Sequence, residues 1–373
     1  YEMTSSLVGS EMCIRDSITT LKQIVGGNLQ SGGEKIYLPL LEVKDSPRFA
    51  WRGLSFDVSR CFFDPEEVKQ VIDMIALYKM NVLHMHLSDN QGWRIEIKKY
   101  PELAEIGGQL PNNGRKGGYY TQEEFKDLVN YAKERFITII PEVDIPGHTA
   151  AVFAAYPDFK NAVKFKTKVN IPGQAFNALD VDDPKAMRFT EDVIAELAAL
   201  APGNYIHIGG DEARKVAWAT CPKCQALIER ERLDGIQGLQ PYMIARIQDF
   251  LASKGRVMVG WDEILHNELH SETLVMSYRG QKGAIEAANR GNYAVMTPGE
   301  VLYFDWYQAD PSTQPRAMYG YSPIKKMYAF EPVPADPESA ARNESIIRAE
   351  FVDPAAVEPI LSLIHISEPT RLD

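Results

Sequence analysis

Short runs of aliphatic and β-branched residues alternate with amphipathic stretches between Leu54 and Gly299. Seven runs predict strands: LSFDVS from Leu54, NVLHMHLSD from Asn81, ITIIPEVD from Ile137, NYIHIGGDE from Asn204, VMVGWDE from Val257, TLVMSYR from Thr273 and YAVMTPG from Tyr293. Between them, apolar residues recur at helical spacing. A regular alternation of strands and helices is typical of repeated βα units and predicts a parallel sheet.

The predicted helices begin with recognisable signals. Asp64-Pro65 suits an N-cap followed by the first turn, and Thr121 to Glu124 has the form of a capping box. Three more helices are predicted from Asp183-Pro184 to Gly203, over Ile244 to Leu251 before Gly255, and over Ala284 to Ala288 before Gly291.

Seven βα units over roughly 250 residues fit a (β/α)8 barrel that lacks its eighth strand, with a doubly wound open sheet as the alternative. Polar residues at the strand ends favour the barrel: Asp57, Asp89, Asp144 with His148, Asp211 with Glu212, and Trp261-Asp262-Glu263. In a barrel, one face would collect all these side chains, and that face carries the active site. An open sheet would concentrate ligands at one switch point, and no Gly-rich phosphate loop follows the first predicted strand.

Both ends of the chain differ in pattern from the middle. Residues 1–17 and 362–373 carry no periodicity and resemble translated adapter sequence, so we expect both to be non-native. ITTLKQIV from Ile18 predicts the end of a helix, and KIYLPLLEV from Lys35 predicts a strand. Residues 18–46 are therefore expected to be the remnant of an N-terminal α+β domain. The barrel is expected over residues 47–361, incomplete at its C-terminal end.

Composition narrows the possible partners. The chain has 373 residues and a formal net charge of −11, without a long basic stripe. This argues against nucleic acid and anionic membrane surfaces, which need clustered Lys and Arg, and suits a neutral substrate. No run approaches the roughly 18 apolar residues that a membrane span requires.

The cysteines form one close pair, Cys221 and Cys224 in CPKC. A single pair without a second pair or a nearby His is at most half of a zinc site. A loop feature and a local disulfide are the plainer interpretations, and a bound metal is the alternative. Nothing in the sequence calls for a cofactor.

HIGGDE ends an apolar strand with Asp211 and Glu212, two carboxylates that are costly to bury unless they are paired. A Gly-Gly turn at an ordinary loop start would explain HIGGDE alone, but HLSDNQGWR and PEVDIPGH stand at equivalent positions. The region from about Arg52 to Tyr307 resembles the catalytic barrel of the family-20 glycoside hydrolases, the β-N-acetylhexosaminidases. The motifs that match in order are WRGLSFDVSR, NVLHMHLSDNQGWRIEI, IIPEVDIPGH, HIGGDE, GWDEIL and YFDWY.

Neighbouring α-carbons lie about 3.8 Å apart, so Asp211 and Glu212 are poorly placed to flank a sugar as acid and nucleophile, which needs carboxyl groups about 5 Å apart on opposite faces. The resemblance implies that the substrate's own 2-acetamido oxygen attacks, giving an oxazolinium intermediate and net retention. It implies that Glu212 is the general acid and then the base, that Asp211 orients the acetamido N–H, and that Asp89 and His148 support Glu212. The charge of Asp211 is expected to raise the pKa of Glu212.

The same resemblance implies a pocket for one terminal sugar, hence exo cleavage of N-acetyl-D-hexosamine (GlcNAc or GalNAc) from a small or oligosaccharide substrate. Arg52 is predicted to bind the C3 and C4 hydroxyls, and Asp305 to accept from O4 or O6. Trp261 would lie beside the acetamido methyl, and Tyr303 would hold the acetamido carbonyl. Tyr278 would form a further aromatic wall at a position where relatives usually have Trp. Core aromatics and a solvated acid are the plainer alternatives for Trp261, Tyr303 and Asp305.

The family's eighth strand brings a Trp and a Glu in a motif resembling Q-x-x-x-W-x-E, and nothing after Phe330 matches it. The alternative function is therefore an inactive or glycan-binding barrel fragment. A family-18-type chitinase is a remote third, because its D-x-x-D-x-D-x-E motif is absent from the sequence. A periplasmic or secreted location is expected from the family, and the sequence carries no signal for the oligomeric state.

Overall fold

The computed structural model describes residues 11–28, 43, 45, 47–109, 116–159, 179, 181, 183–318, 320–334 and 360–366. Within these residues, eight strands surround one axis: β1 (Arg52–Asp57), β2 (Val82–His86), β3 (Thr138–Glu142), β4 (Tyr205–His207), β5 (Val257–Trp261), β6 (Leu274–Ser277), β7 (Tyr293–Met296) and β8 (Ile360–Ile366). They form a closed ring of parallel neighbours in the order β1, β8, β7, β6, β5, β4, β3, β2. The ring confirms the predicted (β/α)8 barrel and excludes the doubly wound sheet.

The closure of the ring through β8 corrects one expectation, because we expected the eighth strand to be missing. Ser362 pairs with Arg52 of β1 and with Met296 of β7. The sequence analysis placed most of this segment in the non-native tail, yet ILSLIHI is aliphatic at five of its seven positions, as suits a parallel strand paired on both sides. Without it, β1 and β7 would each present an unpaired edge.

Seven helices of eight residues or more lie within the described residues: α1 (Glu11–Asn28), α2 (Pro65–Leu77), α3 (Gln122–Lys133), α4 (Pro184–Leu200), α5 (Pro222–Glu231), α6 (Leu239–Ser253) and α7 (Lys282–Asn289). The predicted caps are confirmed. Asp64 and Thr121 each form a capping box, and Asp183 accepts the N–H of Lys185. Helix α5 was not predicted.

Shorter elements connect these helices and strands. A two-residue antiparallel pair joins Ser88–Asp89 to Gly92–Trp93 above β2. Short helices span Glu102–Glu105, Gly107–Gln109, Ala150–Ala155, Pro157–Phe159, Val216–Ala219, Gly235–Gly238, Asp262–His266, Gly299–Leu302, Pro311–Thr313 and Ile324–Tyr328. Among the described helices, none offers the length of apolar residues that a bilayer crossing requires.

Helix α1 contains ITTLKQIV, so the predicted helix before the barrel is confirmed. It begins at Glu11 and runs across the boundary predicted at residue 17. Arg15 anchors it to the barrel, because Nη1 donates to the carbonyl of Met80 at 2.6 Å. The strand predicted over KIYLPLLEV lies outside the described residues apart from its last residue, Val43. The four predicted domain boundaries stay a prediction.

The apolar core has two parts. The larger part lies between the strands and the surrounding helices, and it includes Leu54, Ile72, Phe125, Leu197 and Ile244. The smaller part fills the interior of the ring and includes Val82, Ile140, Val259, Leu274 and Val295. Burial on both faces explains why the strands are apolar at nearly every position.

The interior changes character toward the carboxyl ends of the strands. Alternate residues of a strand share a face, so His84 and His86 follow Val82 into the ring. Glu142 of β3 and His207 of β4 join them, and all four polar side chains are buried. Buried polar groups are costly unless they bond to one another, so this polar layer forms the floor of the candidate site.

Candidate active site

Asp211 and Glu212 follow β4 in a loop that begins with Gly209 and Gly210. The two glycines have left-handed φ values of +69° and +90°. A Cβ atom on Gly209 would lie 1.9 Å from Oδ1 of Asp144, so both conformation and space require glycine there. The turn separates the two side chains, because that of Asp211 is 14% exposed and that of Glu212 is 60% exposed.

His148 connects the predicted catalytic residues. Its Nδ1 lies 3.2 Å from Oδ2 of Asp89. Its Nε2 lies 3.5 Å from Oε2 of Glu212 and 3.7 Å from Oδ2 of Asp211. The structure therefore brings together Asp89, His148, Asp211 and Glu212, although Asp89 and Glu212 are 123 positions apart in the sequence.

The charges around His148 decide its protonation. Burial works to lower the pKa of His148, but the carboxylates of Asp89, Asp144 and Asp211 outweigh it and raise the pKa well above its usual value. The resulting imidazolium lowers the pKa of Glu212, mainly through its hydrogen bond to that carboxylate. The expectation that Asp211 raises the pKa of Glu212 is therefore wrong for the ligand-free protein, because the cation is the stronger influence.

The raised pKa belongs to Asp211 instead. Burial raises it to about 6, although His148 and a hydrogen bond with Asp144 act in the opposite direction. The pKa of Asp144 is raised well above its usual value by burial and then by the charge of Asp211. Oδ1 of Asp144 also accepts the N–H of Gly210 at 3.3 Å, which ties Asp144 to the loop that carries Asp211.

Arg52 is not in the site. It is the first residue of β1, at the end of the barrel opposite the carboxylates, where its guanidinium bonds to Asp16 at 2.8 Å and to the carbonyls of Lys79 and Phe49. The prediction that Arg52 grips the sugar is therefore wrong. WRGLSFDVSR contains a second arginine, Arg60, eight positions later.

Arg60 lies beyond the carboxyl end of β1 and faces the site. Nη1 contacts Oδ2 of Asp57 at 2.7 Å, and Nη2 contacts Oδ2 of Asp89 at 2.6 Å. Burial works to lower the pKa of Arg60, but these two carboxylates outweigh it and raise the pKa. Its position could have been found from the sequence by counting along the strand, since Asp57 marks the carboxyl end.

The predicted aromatic walls meet at the carboxyl ends of β5 and β6. Trp261 ends β5 and is 5% exposed. Its ring lies 5.5 Å from that of Tyr278, edge to face. The hydroxyl of Tyr278 donates to Oε1 of Glu263 at 3.0 Å, and the same oxygen accepts the N–H of Glu212 at 3.1 Å. Glu263 therefore ties the wall to the catalytic loop.

Tyr303 and Asp305 follow β7 and reach the same pocket. Burial raises the pKa of Tyr303 well above its usual value, and the charges of Asp211 and Asp305 add to this effect. Asp305 is 8% exposed. The geometry is compatible with the sugar-binding roles predicted for both residues, which stay predictions.

None of the four residues of the polar floor was predicted as a site residue. Glu142 accepts the indole N–H of Trp261 at 2.9 Å and lies 2.7 Å from Nδ1 of His86. His207 accepts the N–H of Gly209 through Nδ1 at 3.0 Å, and burial lowers its pKa to about 4. Their signal in the sequence was polar residues inside otherwise apolar strands.

Two groups among the described residues are compact enough to hold a metal ion: His84, Glu142 and His207, and Asp89, Asp144 and His148. In the first group, N–H groups of neighbouring side chains already contact both oxygens of Glu142. In the second group, Asp89 contacts His148 and Arg60, and Asp144 accepts the N–H of Gly210. We assign both groups to contacts among the protein's own polar groups.

Cys221 and Cys224 lie at the start of α5, and both are buried. Cys221 is the N-cap residue, and its Sγ accepts the N–H of Cys224 at 3.5 Å. The two thiols are not joined in a disulfide. This geometry agrees with the interpretation of CPKC as a local loop feature, here a helix cap.

Comparison with known proteins gives consistent matches across the barrel. The sequence profile described as glycosyl hydrolase family 20, catalytic domain, matches residues 49–351. A β-hexosaminidase of Porphyromonas gingivalis is 42% identical over 324 residues, which are 85% of this chain and 42% of the relative. A β-hexosaminidase of Vibrio furnissii is 36% identical over 88% of this chain and 55% of its own. The chain thus spans about half the length of these relatives.

Solved structures agree. The exo β-N-acetylglucosaminidase of Vibrio harveyi in complex with N-acetylglucosamine aligns with a TM-score of 0.78 at 30% identity, over 96% of this chain and 56% of that one. The β-N-acetylhexosaminidase of Bacteroides fragilis aligns with a TM-score of 0.73 at 28% identity, over 94% and 68% of the two chains. On the profile match and these alignments, the chain belongs to glycosyl hydrolase family 20.

Proposed function

We propose that this chain carries the catalytic domain of an exo-acting, retaining β-N-acetylhexosaminidase that removes terminal GlcNAc or GalNAc. One observation carries the proposal: the adjacent carboxylates Asp211 and Glu212 lie 3.7 and 3.5 Å from the same imidazole, with one side chain buried and the other at the mouth. Support comes from relatives named β-hexosaminidase and from a related structure that holds N-acetylglucosamine.

The position of the two carboxylates sets the mechanism that we propose. Both leave the same loop and approach a bound sugar from one side, so the nucleophile comes from the sugar itself. The acetamido oxygen bonds to C1 as the bond from C1 to the leaving oxygen breaks, and Glu212 gives that oxygen its proton. Glu212 then takes a proton from the water that opens the oxazolinium ring, and the configuration at C1 is retained.

Substrate binding supplies the protonation state that this mechanism needs. Below about pH 6, a proton on the pair favours Asp211, because burial raises the pKa of Asp211 to about 6 while His148 lowers the pKa of Glu212. An acetamido N–H donated to Asp211 favours its carboxylate form, and a sugar that covers the exposed Glu212 favours its neutral acid form. The shared proton therefore moves to the residue that must donate it.

The remaining pocket residues fit a single terminal sugar. Arg60 takes the place that we first assigned to Arg52 and would hold ring hydroxyls. Tyr303 would donate to the acetamido carbonyl and Asp305 would accept from O4 or O6, while Trp261 and Tyr278 would enclose the acetamido methyl. A pocket with these walls accepts a chain end and therefore cleaves in exo mode.

The test is hydrolysis of the chromogenic p-nitrophenyl N-acetyl-β-D-glucosaminide and galactosaminide by the full chain. We expect Glu212→Gln to lower kcat by about 10² to 10⁴-fold, the usual contribution of a general acid. Proton NMR of the first-formed sugar should show the β anomer. Equal activity of the Glu212→Gln variant, or an α anomer as first product, would overturn the proposal.

A second candidate is a barrel that binds N-acetylhexosamines without turnover. The sequence of β8, ILSLIHI, favours it, because this strand contributes neither the Trp nor the Glu that the family motif brings to the pocket. Calorimetric binding of N-acetylglucosamine by a folded chain that releases no nitrophenol would select this candidate over the hydrolase.

A further inference from the structure

A buried acid below the site has no part in the mechanism described so far. Glu142 ends β3, and its side chain is 0% exposed. Oε1 accepts the indole N–H of Trp261 at 2.9 Å. Oε2 lies 2.7 Å from Nδ1 of His86 and 2.8 Å from Nε2 of His84. A carboxylate in the interior of a barrel is retained only when such partners offset its desolvation.

His86 links this acid to the residues around Glu212. Its Nδ1 faces Glu142 at 2.7 Å, and its Nε2 faces Oδ2 of Asp89 at 3.2 Å. Both ring nitrogens meet carboxylate oxygens, so both must carry a hydrogen, and only the imidazolium form satisfies this geometry. Burial works to lower the pKa of His86, but the charges of Glu142 and Asp57 outweigh it and raise the pKa.

The contacts form one unbroken chain of alternating acids and imidazoles. It runs from Glu142 through His86, Asp89 and His148 to Glu212, with successive contacts of 2.7, 3.2, 3.2 and 3.5 Å. At the other end of this series of contacts, Glu142 accepts the indole N–H of Trp261, which belongs to the aromatic wall. The other charged or titratable groups that face these residues are Arg60, Asp57, Asp144, Asp211, Glu263, Tyr278, Tyr303, His84 and His207.

We propose that Glu142 and His86 are positioning residues for the reaction, which couple the proton-transferring end of the site to the aromatic wall. His86 holds Asp89 in place, Asp89 holds the imidazolium of His148, and Glu142 keeps His86 charged while it fixes the indole of Trp261. The inference rests on the proposed function. It extends the supporting role predicted for Asp89 and His148 to two residues in the interior of the barrel, Glu142 and His86.

Electrostatics distinguish this role from a structural one. The charge of Glu142 acts on Asp211 directly and raises its pKa, in addition to burial. Glu142→Gln removes a negative charge while its amide oxygen still accepts from Trp261, so nearby pKa values should fall. His86→Gln removes a positive charge, so nearby pKa values should rise. Loss of packing alone would not move them in opposite directions.

The experiment measures kcat, KM and the pH profile of kcat/KM for the full chain and its variants. We expect Glu142→Gln to lower kcat by about 10 to 100-fold, the size of effect seen when a hydrogen-bonded partner of a metal-bound ligand is removed, and to shift the alkaline limb to lower pH. His86→Gln should shift that limb to higher pH. Trp261→Phe keeps the charges, so it should raise KM and leave the limb in place.

Glu196→Gln is the matched control, since Glu196 accepts three hydrogen bonds from Lys98, Lys99 and Gln122 on the outside of the barrel. It should leave kcat and the limb unchanged. Shifts of the same sign in the two charge variants, or none in either folded variant, would overturn the inference.

An inactive wild type would contradict the proposed function instead. In that case, NMR titration gives the pKa of His148 in the wild type and in Glu142→Gln, and this comparison tests the electrostatic effect of Glu142 without an activity assay. A lower pKa of His148 in the variant would support the inference, and an unchanged pKa would overturn it.

Discussion

At the scale of single residues, Asp211 and Glu212 determine the protonation state of the site. Burial raises the pKa of Asp211 to about 6, whereas His148 lowers the pKa of Glu212. In the mechanism that we propose, one proton passes between these two carboxyl groups. We therefore expect the pH dependence of the reaction to follow the pair and not either residue alone.

The first prediction concerns this pH dependence. We expect kcat/KM to fall about tenfold per pH unit above about 6, because the shared proton is lost there. The measurement is kcat/KM from pH 4 to 9 in buffers of constant ionic strength. Asp211→Asn should abolish the step at about 6 along with most of the activity. A constant kcat/KM through pH 8 in wild type would contradict this account.

The second prediction compares two arginines of one motif. Arg60 reaches the site, whereas Arg52 anchors α1 at the other end of the barrel. We expect Arg60→Lys to lower kcat/KM by at least about tenfold, because a lysine cannot make both contacts of the guanidinium fork. Arg52→Lys should change kcat/KM less than twofold and lower the melting temperature slightly. Steady-state kinetics and thermal unfolding of the two variants decide, and the reverse pattern would restore Arg52 as the sugar ligand.

At the scale of elements, the loop after β4 depends on a backbone conformation that only glycine adopts freely. His207 of β4 accepts the N–H of Gly209, and Asp144 accepts that of Gly210. The turn therefore holds Asp211 and Glu212 in position only if His207 and Asp144, which accept its N–H groups, keep their own positions. This explains why the carboxylates of HIGGDE point apart although they are adjacent.

The third prediction concerns this turn. Gly209→Ala combines a φ of +69° with a Cβ position 1.9 Å from Asp144, so we expect a loss of at least about 3 kcal/mol in the free energy of unfolding. Gly291→Ala is the control, since its φ is +85° but nothing lies within 4 Å of the added carbon. It should cost only about 1 kcal/mol. Urea unfolding measures both, and equal losses would show that the steric contact is relieved.

At the scale of the whole molecule, β8 determines whether the barrel has edges. It pairs with β1 over five residues and with β7 over three. The site residues at the carboxyl ends of the other strands are far from β8 in sequence. Their positions still depend on β8, because an opening between β1 and β7 would allow every strand of the ring to move.

The fourth prediction removes this strand. A chain that ends at residue 359 should have unpaired edges on β1 and β7, and we expect it to aggregate or to melt at least about 5 °C lower than the full chain. A chain that ends at residue 366 keeps β8 and is the control. Light scattering and thermal unfolding compare them, and identical behaviour of the two would mean that β8 does not contribute to closure.

The sequence by itself determined the order of the first seven strands, most of the helices between them and three helix caps, and the resemblance of six ordered motifs indicated the family. The strands, helices and caps follow from local spacing and composition: period-2 and period-3.6 apolar patterns, Asp and Thr at N-caps, and polar residues where apolar strands stop. The same reasoning placed Asp89, His148, Asp211 and Glu212 in one site, because the carboxyl ends of parallel strands in a barrel meet at one face.

The tertiary structure alone decided which arginine lies at the site, which of the two adjacent carboxyl groups has the raised pKa and whether the ring closes. Arg52 and Arg60 stand in one motif, but β1 runs from one end of the barrel to the other between them. The pKa values of Asp211 and Glu212 depend on burial and on His148, which is distant in sequence. Closure through β8 depends on pairing with strands about 300 and 65 residues away, and such non-local contacts leave no periodic trace in a chain.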